Sequence, residues 1–366
     1  MHIQTRRNDL LQALQTVIGV VDRRQSLPIL ANVLLEVEED QLLVTATDLE
    51  MQLQSETRIQ NVAPGRITAP ARKLFDICRS LAEGAEIALE ESAKRLTIKS
   101  GRSRFVLSTM PADEFPSFPS MSPEEKIEVP TKQLKDVLQR TQFAMAQQDV
   151  RYYLNGMLLD IGIQRLRCVA TDGHRLALGQ LDAATGIKKP QQLILPRKTI
   201  VELQRLLDLG GENTTLFIAG GQVEVRLEGV RLSSKVIEGR FPDYERVIPD
   251  SPERTAQGSC EKVRAALARA AILSNEKFRG VRLNFENGLL RIQSQNPEQE
   301  EAEEEVEINF DGTPVEIGFN VGYLLDALGA IASEEFIMEL RGPDGSGLIR
   351  DAGGNANRYV VMPMRL

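Results

Sequence analysis

The segment Ala31-Asn-Val-Leu-Leu-Glu-Val37 decides the fold, because its pattern returns twice further along the chain. It recurs as Asn155-Gly-Met-Leu-Leu-Asp-Ile161 and again as Arg279-Gly-Val-Arg-Leu-Asn-Phe285, and each copy follows the last after 124 residues. A fixed period of this length indicates tandem domains, since single domains usually hold about 100–150 residues. The sequence therefore predicts three similar domains.

Further blocks keep similar spacing. Ala46-Thr-Asp48 returns as Ala170-Thr-Asp172, with Ser294-Gln-Asn296 in the third copy. A second block, typical of a strand running into a helix, begins at Ile67, Leu193 and Ile317. A third block aligns Arg104-Phe-Val-Leu-Ser-Thr109 with Val230-Arg-Leu-Ser-Ser-Lys235, and a Phe-Pro pair follows each. We predict domains at 1–124, 125–250 and 251–366, with proline-rich linkers near 116–126 and 247–255. Three unrelated domains are the alternative.

The periodicity of apolar residues alternates within each copy. Leu10, Leu14 and Val17 share one helical face, and similar spacing near the start of the other copies predicts that each copy opens with a helix. Alternating runs such as Leu42-Leu-Val-Thr-Ala-Thr47 predict antiparallel strands between turns. Helices and runs of strands in this order indicate the α+β class, with helices on one face of the sheets.

Composition excludes several classes of protein. The 366 residues are 42% hydrophobic and 26% charged, as in ordinary globular proteins. No apolar run reaches membrane-spanning length and no signal peptide is evident, so we expect no membrane partner and a cytoplasmic location. Cys78, Cys168 and Cys260 are far apart and only His2 and His174 accompany them, which argues against disulfides, a metal site or a cofactor.

The positive charge of this acidic chain is concentrated in its predicted helices. The formal net charge is −8, yet the predicted helical segments are basic as a group: 6–24, 71–83, 131–151, 196–209, 259–280 and 320–332. If the helices share one face, that face would attract a polyanion while the remainder repels it. The alternative is that Lys and Arg are simply good helix formers. No base-reading motif is present, so contacts would go to phosphates.

Long strings of this sequence resemble the bacterial DNA polymerase III beta subunit family. They are Phe143-Ala-Met-Ala-Gln-Gln-Asp-Val-Arg-Tyr-Tyr-Leu-Asn-Gly156, Ala170-Thr-Asp-Gly-His-Arg-Leu176, Gly239-Arg-Phe-Pro-Asp-Tyr244, Asn296-Pro-Glu-Gln-Glu-Glu-Ala-Glu-Glu304 and Tyr359-Val-Val-Met-Pro-Met-Arg-Leu366. The resemblance covers the whole chain. It implies three tandem clamp domains closed as a head-to-tail homodimer ring, with helices lining the inside and antiparallel sheets outside. Such a ring encircles double-stranded DNA without sequence specificity and tethers other proteins to it.

The resemblance also implies a dimer joint between the first and third domains. Phe105 and Leu107 would pack against Ile272 and Leu273. The basic side chains of the joint would be Lys73, Arg95, Arg102 and Arg104, facing an acidic run with Glu298, Glu300, Glu301 and Glu304. Without this context, an acidic run is more often a solvated loop. Exposed ion pairs contribute about 0–1 kcal/mol each, so we expect the apolar contact to hold the joint and the charges to set its register.

A hydrophobic cleft beside the C-terminus is the second surface that the resemblance implies. It would receive short peptide motifs of the clamp loader, the replicative and translesion polymerases and repair proteins. The matching residues are Leu154, Thr171, Gly173, His174, Arg175, Leu176, Pro242, Arg246, Val247, Asn320, Tyr323, Val360, Val361, Met362, Pro363, Met364, Arg365 and Leu366. From the residues alone, Val-Val-Met-Pro-Met indicates a buried last strand, although Met suits an adaptable pocket.

For DNA, the resemblance implies weak contacts from eight residues, of which the tyrosines could equally be packing residues. They are Arg24, Gln148, Arg151, Tyr152, Tyr153, Arg197, Lys198 and Arg205.

Catalysis is not expected of this sequence. Asp172-Gly-His-Arg175 is the strongest candidate for a general base, but no nucleophile or second carboxylate accompanies it, and GxxxxGK[ST] and GxGxxG are absent. We therefore expect a non-catalytic processivity subunit. The alternative function is a repeat-built scaffold or DNA-binding regulator that forms no ring.

Overall fold

A computed structural model describes residues 1–21, 27–119, 121–122, 124–249, 251–354 and 356–365. The first repeat contains β1 His2–Arg6, α1 Arg7–Val17, β2 Asn32–Glu38, β3 Gln41–Thr47, β4 Met51–Arg58, β5 Gln60–Ala63, β6 Gly65–Pro70, α2 Ala71–Ser80, β7 Glu86–Ser92, β8 Arg95–Ser100 and β9 Ser103–Ser108. The second contains β10 Glu125–Pro130, α3 Thr131–Thr141, β11 Gly156–Ile161, β12 Arg165–Thr171, β13 Arg175–Asp182, β14 Gln191–Pro196, α4 Arg197–Leu206, β15 Asn213–Ala219, β16 Gln222–Leu227 and β17 Val230–Lys235. The third contains β18 Arg254–Ser259, α5 Cys260–Ala270, β19 Gly280–Glu286, β20 Leu289–Gln295, β21 Glu301–Glu307, β22 Asn309–Asp311, β23 Val315–Asn320, α6 Val321–Gly329, β24 Glu335–Leu340, β25 Gly347–Asp351 and β26 Arg358–Val361.

The α+β class and the threefold repeat are confirmed by this element order and by strand register. Leu35 of β2 lies opposite Val44, and the equivalent Leu159 lies opposite Cys168. In the third repeat Leu283 lies opposite Ile292, which keeps the spacing of 124 residues on both strands of the hairpin. The repeat in the sequence is therefore a repeat of hydrogen-bonded geometry.

Two details of the sequence interpretation are wrong. Each repeat opens with a strand rather than a helix. The sequence analysis missed β1, β10 and β18 because they are only five or six residues long, which is too short for a clear period-two pattern. The alignment of Arg104 with Val230 is one residue out of register. Arg104 lies opposite Lys99, and the residue in the equivalent place, opposite Arg226, is Arg231. The shifted alignment instead matched Ser108 with Ser234 by chance.

The predicted helices are shorter in the structure than in the sequence analysis. They remain amphipathic: α1 buries Leu10, Leu14 and Val17, and α5 buries Val263 and Leu267. Short 3-10 turns at Gln142–Ala144, Leu207–Leu209 and Ala271–Leu273 continue α3, α4 and α5. Four of the six described helices remain basic: α2, α3, α4 and α5 each carry three Lys or Arg residues against one Asp or Glu, whereas α1 is neutral and α6 is acidic.

The chain forms two compact units. Unit 1 comprises residues 1–131 and 201–236, and unit 2 comprises residues 132–200 and 237–366. Unit 1 holds a five-stranded sheet, β5-β1-β7-β8-β9, and an eight-stranded sheet, β10-β15-β16-β17-β4-β3-β2-β6. Unit 2 holds a nine-stranded sheet, β14-β11-β12-β13-β26-β25-β24-β18-β22, and a four-stranded sheet, β21-β20-β19-β23. The second repeat contributes strands to both units, because its sheets continue into those of its neighbours.

The three cysteines are free thiols in buried positions. Burial raises the pKa of the Cys78 and Cys168 thiols to about 12, so both stay protonated and unreactive at neutral pH. None of the described helices combines the length and apolarity that crossing a membrane requires.

Candidate functional site

Unit 2 contains a cavity of about 200 Å³ with mainly apolar walls. Its lining residues come from four separate parts of the chain: Arg151, Tyr153, Leu154, Thr171, Gly173, Arg175, Leu176, Pro242, Tyr244, Val247 and Met362. Eight of these residues were predicted for the cleft. The structure therefore brings together Leu154, the Thr171 turn, the Pro242 segment and Met362, although they are spread over some 200 residues of sequence.

The floor of the cavity rests on apolar rows that cross the sheet of β11, β12 and β13. Leu158 lies opposite Val169, which in turn lies opposite Leu178, and all three are buried. They belong to a core cluster that includes Leu176 and Val360. Because side chains in a cross-strand row are within contact distance, this row forms a continuous apolar surface.

A tight turn between β12 and β13 forms one wall of the cavity. The Thr171 hydroxyl donates to the Arg175 carbonyl at 2.6 Å, and the Asp172 carboxylate accepts from the backbone N–H groups of His174 and Arg175. Gly173 has a φ of +88°, and a Cβ there would lie 3.0 Å from the Arg151 guanidinium. Glycine at this position therefore lets Arg151 approach the turn closely.

Arg175 ties this wall to the third repeat. Its guanidinium is ion-paired with Asp172 at 3.1 Å and with Asp326 at 2.5 Å, and it donates to the Phe143 carbonyl at 2.7 Å. The same group lies 4.5 Å from the centroid of the Tyr323 ring. Its side chain is only 13% exposed, so Arg175 acts chiefly as a support of the cavity wall.

The C-terminal segment leaves β26 beside the cavity. Val360 and Val361, predicted for the cleft, are fully buried strand residues that support the cavity without lining it. Beyond them, the Met362 N–H donates to the His174 carbonyl at 2.9 Å and the Met364 N–H to the Gly318 carbonyl at 2.8 Å. Half-buried Met362 is thereby placed as a movable apolar side chain at the cavity.

Other predicted cleft residues lie away from the lining. His174 and Arg365 are exposed, and Pro363 and Met364 are half-buried. Arg246 is exposed and ion-paired with Asp243. Asn320 caps α6 by accepting from the Gly322 and Tyr323 N–H groups. Leu366 lies outside the described residues.

The sequence interpretation missed Tyr244 and assigned Arg151 and Tyr153 to another surface. Tyr244 lines the cavity, and its position two residues after the Phe241-Pro242 pair was the available signal, since the pair occurs in two repeats. Arg151 is held by Asp149, with Nη2 2.9 Å from Oδ2, and it lowers the pKa of the Asp149 carboxyl to about 2 through side-chain and backbone hydrogen bonds. Both Arg151 and Tyr153 line the cavity.

The other predicted DNA contacts are scattered over short segments. Gln148 and Tyr152 are exposed. Arg197 and Lys198 form the first turn of α4, where Arg197 donates to the Met145 carbonyl at 3.0 Å. Arg205 in the last turn is ion-paired with Glu202 at 2.7 Å and donates to the Thr16 carbonyl at 2.5 Å. Arg24 lies outside the described residues.

Part of the residue set predicted for the dimer joint lies on two sheet edges, whereas Ile272 and Leu273 are in the 3-10 turn after α5. β9, with Phe105 and Leu107, is the last strand of the five-stranded sheet, and β21 is the last strand of the four-stranded sheet. Ile272 is 77% exposed. Leu273 is half-buried. The basic residues Lys73, Arg95, Arg102 and Arg104 are exposed, as are Glu298, Glu300 and Glu301.

One residue of the predicted joint already has a partner within the chain. Glu304 is ion-paired with Arg269 at 2.5 Å, and this pairing lowers the pKa of the Glu304 carboxyl. In the same run, Glu300 accepts a hydrogen bond from the Asn296 amide at 2.6 Å. The acidic run is thus a structured edge strand and its preceding turn, in place of the solvated loop that was the alternative.

The Asp172-Gly-His-Arg175 segment has no arrangement suited to general-base catalysis. The Asp172 carboxylate is engaged by backbone N–H groups of its own turn and by the Arg175 guanidinium. Within the described ranges, no group of three His, Cys, Asp or Glu side chains could hold a metal ion.

A wider groove of about 480 Å³ lies in unit 1. Its rim mixes basic Arg6, Arg58 and Lys99 with acidic Asp9 and Glu86, and it contains none of the residues predicted for a site. The smaller cavity of unit 2 is the better candidate, because it combines apolar walls with a few fixed polar groups.

Comparisons with known proteins agree with the resemblance. Family models of the DNA polymerase III beta subunit match in chain order: the N-terminal domain at residues 1–119, the central domain at 128–243 and the C-terminal domain at 245–365. The chain is 48% identical to the beta sliding clamp of Pseudomonas aeruginosa and 46% identical to that of Escherichia coli K12, over the full length of both chains. A crystal structure of the Pseudomonas aeruginosa sliding clamp bound to griselimycin superposes over both full chains with a TM-score of 0.96 at 48% identity.

Proposed function

The chain belongs to the DNA polymerase III beta subunit family, the beta sliding clamps, and we propose that it closes with a second copy into a ring around duplex DNA. A ring stays on DNA because it surrounds it, so it needs no grip on individual bases. It confers processivity by tethering the replicative polymerase and other DNA-processing proteins. This role is non-catalytic, and we place it in the cytoplasm. We retain 1–124, 125–250 and 251–366 as the domain boundaries.

The main support for ring closure is that both junctions between repeats use the same strand register. In the second repeat a cross-strand row runs from Ile127 through Leu216 and Val225 to Leu232, and continues to Leu53 of the first repeat. In the third repeat the equivalent row runs from Ala256 through Met338 and Ile349 to Tyr359, and continues to Ala177 of the second repeat. The junction is therefore a repeated structural unit.

In the first repeat the same row ends at a free edge. It runs from Ile3 through Leu89 and Ile98 to Phe105 on β9, after which no further strand of the described residues follows. The strand that would receive the row is β21 of the third repeat. In the internal junctions the receiving residues are Leu53, which lies opposite Ala46, and Ala177, which lies opposite Ala170. Their equivalent in the third repeat is Ala302, which lies opposite Ser294. Pairing β9 of one chain with β21 of another would use both free edges.

The repeated register predicts the contacts of this joint. Phe105 would lie opposite Ala302, and its neighbour Arg104 opposite Glu303. The counterparts of Phe105 in the internal junctions, Leu232 and Tyr359, are 2% and 1% exposed, whereas Phe105 is half-buried in the single chain. Burial of Phe105 and of Ile272 would provide the apolar contact, and the opposite charges of the two strands would favour the correct register.

A two-fold axis makes this joint form twice. β9 of each copy meets β21 of the other, so two chains close without leaving a free edge of this kind. The assembly is a head-to-tail homodimer of six similar domains. The basic helices α2 to α5 support a lining for DNA in that ring, since their charge suits phosphates and carries no sequence preference.

We propose the cavity of unit 2 as the site where partners attach through short apolar peptide motifs. These partners would be the clamp loader, the replicative and translesion polymerases and repair proteins. Apolar walls with fixed polar groups and a half-buried methionine suit a pocket that accepts several related peptides. We propose that griselimycin, which is bound in a crystal structure of the similar Pseudomonas aeruginosa clamp, occupies this cavity and can serve as its probe.

Ring closure is tested by comparing how the protein is retained on circular DNA and on linear DNA. The protein is loaded on nicked circular DNA, washed with high salt, and the circle is then linearised. We expect retention on the circle at high salt and release after linearisation, because encirclement depends little on ion pairs. A scaffold or regulator held by charge would leave at high salt and ignore linearisation.

The variant that tests the joint between β9 and β21 is Leu107→Asp, which places a charge on the edge strand β9. Leu107 is 9% exposed in the single chain, so folding is checked by the unfolding midpoint. We expect light scattering to report one chain per particle and retention on circular DNA to be lost. A variant that stays dimeric and retained would contradict the β9 to β21 joint.

A further inference from the structure

The cavity wall formed by Tyr244 is held from behind by a polar network that no predicted site includes. The Tyr244 hydroxyl donates to Asp160 Oδ2 and accepts from Arg167 Nη1 at 3.2 Å. Arg167 is fixed in turn, with Nη1 2.8 Å from Glu245 Oε1 and Nε 2.8 Å from Gln180 Oε1. The phenol oxygen therefore both donates and accepts a hydrogen bond.

This network is a cross-strand row next to the apolar floor. Asp160 lies opposite Arg167, which lies opposite Gln180. The row is two residues along each strand from Leu158, Val169 and Leu178, and so lies on the same face of the sheet. Tyr244 spans the two rows: its ring packs with the apolar cluster while its hydroxyl reaches the polar row.

The first repeat has no such network. The residue at the place of Tyr244, two positions after the Phe-Pro pair, is Phe118, which lacks a hydroxyl. The counterparts of Asp160 and Arg167 are Glu36 and Leu43, which lie opposite each other in β2 and β3. Glu36 is instead ion-paired with Arg66 at 3.1 Å. The hydroxyl and its two partners occur together in the repeat that has the candidate cavity.

We propose that Asp160 and Arg167 are positioning residues for the peptide site: they fix the Tyr244 ring as a rigid wall and thereby slow the release of a bound apolar side chain. This inference rests on the proposed peptide-binding function of the cavity. A pocket that is already in its bound shape loses less conformational entropy on binding, and the gain appears mainly as a slower dissociation rate. Tyr244 is the contact residue, and the two charged residues act through it.

The test measures griselimycin binding by surface plasmon resonance on the full-length protein. Tyr244→Phe keeps the ring and removes the hydroxyl. We expect its dissociation constant to rise about five- to tenfold, nearly all of it through faster dissociation, with little change in the association rate. Asp160→Ala should show the same change, because it removes the acceptor of the phenol.

A conservative variant separates positioning from general destabilisation. Asp160→Asn keeps an oxygen that accepts from the phenol, so its affinity should stay within about twofold of the wild type. Glu36→Gln, at the equivalent place in the first repeat, is the matched control and should leave griselimycin binding unchanged. The unfolding midpoint of each variant reports any general loss of stability.

The outcomes are distinct. If the wild-type protein does not bind griselimycin, the proposed peptide site itself is wrong. If the wild type binds and Tyr244→Phe dissociates at the wild-type rate, the cavity stands and the positioning role is overturned. If Asp160→Asn weakens binding as much as Asp160→Ala, the accepted hydrogen bond is not the cause, and the proposal also fails.

Discussion

The first and second repeats share the same backbone arrangement, but one equivalent row of side chains is apolar in the second repeat and partly polar in the first. In the second repeat, Leu158, Val169 and Leu178 form an apolar row under the cavity. The row in the first repeat begins with Leu34 but continues with Thr45 and Gln54, whose side chains hydrogen-bond to each other at 3.3 Å. A few differences on the shared ladder therefore make this row apolar in the second repeat and partly polar in the first.

The residues that lie beside this row, on the strand opposite Leu34 or Leu158, also differ in polarity between the two repeats. Opposite Leu34 lies Thr68, whose hydroxyl donates to the Met110 carbonyl at 2.9 Å, whereas opposite Leu158 lies apolar Ile194. The small apolar cluster of the first repeat, which contains Leu34 and Phe115, packs against Met110. The first repeat thus uses this face for its own packing and for local hydrogen bonds.

The turns that follow these strands are nearly identical. Thr47 donates to the Met51 carbonyl at 2.9 Å as Thr171 donates to the Arg175 carbonyl, and Asp48, like Asp172, accepts from two backbone N–H groups of its turn. The residue with positive φ differs: Leu49 at +77° in the first repeat and Gly173 at +88° in the second. The two repeats therefore share the backbone of this turn and differ in its side chains.

The largest effect is expected when a cavity residue of the second repeat is replaced by its counterpart from the first repeat. Leu176 lines the cavity and is 3% exposed, and its counterpart is Gln52. We expect Leu176→Gln to weaken griselimycin binding about 100-fold, or about 2.7 kcal/mol, because a buried amide there lacks partners and removes apolar contact. The reverse change Gln52→Leu is the control, and titration calorimetry should find its affinity unchanged. Equal affinity in both variants would refute the comparison.

A smaller effect is expected from exchanging the turn residues. Gly173→Leu copies Leu49, but its Cβ would lie 3.0 Å from the Arg151 guanidinium and would displace that side chain. We expect about tenfold weaker griselimycin binding and a loss of about 1–2 kcal/mol in the free energy of unfolding, measured by urea titration. Leu49→Gly should leave binding unaltered. Wild-type affinity in Gly173→Leu would show that this wall tolerates a side chain.

The smallest effect concerns the phenol that only the second repeat carries at this place. Burial first, and then the hydrogen bond to Asp160, raises the pKa of Tyr244 to about 12. Because the folded-state pKa lies above the ordinary value near 10, the related stability is complete below about pH 10 and is lost as pH rises toward 12. Between pH 9 and pH 11 the unfolding midpoint of the wild type should fall slightly more than that of Tyr244→Phe. Parallel curves for the two proteins would contradict this.

Much of the fold was predictable because the repeat is present in local patterns. The equivalence of Leu35, Leu159 and Leu283 follows from sequence, and strand register confirms it. Errors arose where the signal was short, as in the opening strands, or where a chance match shifted the alignment of Arg104 by one residue. In a strand such a shift exchanges inward and outward side chains, so the consequence is large.

The candidate site was predictable only through resemblance, and then in part. The sequence suggested the Thr171 turn and Met362, but it placed Arg151 and Tyr153 on another surface and missed Tyr244. Each of these depends on which segments meet across sheets formed by distant strands. Tyr244 reaches Asp160 over 84 residues of chain, and no local pattern encodes that contact.

By itself the sequence determined three α+β repeats, their spacing, and basic helices in an acidic chain, because hydrophobic periodicity and charge are properties of short segments. Only the tertiary structure decided that β17 joins β4 and β26 joins β13 in one register, and that β9 and β21 are left as free edges. It also decided which segments meet to form the mainly apolar cavity of unit 2. The reason is physical: hydrogen-bonded pairing between distant strands fixes which side chains are neighbours, and that pairing exists only in the folded chain.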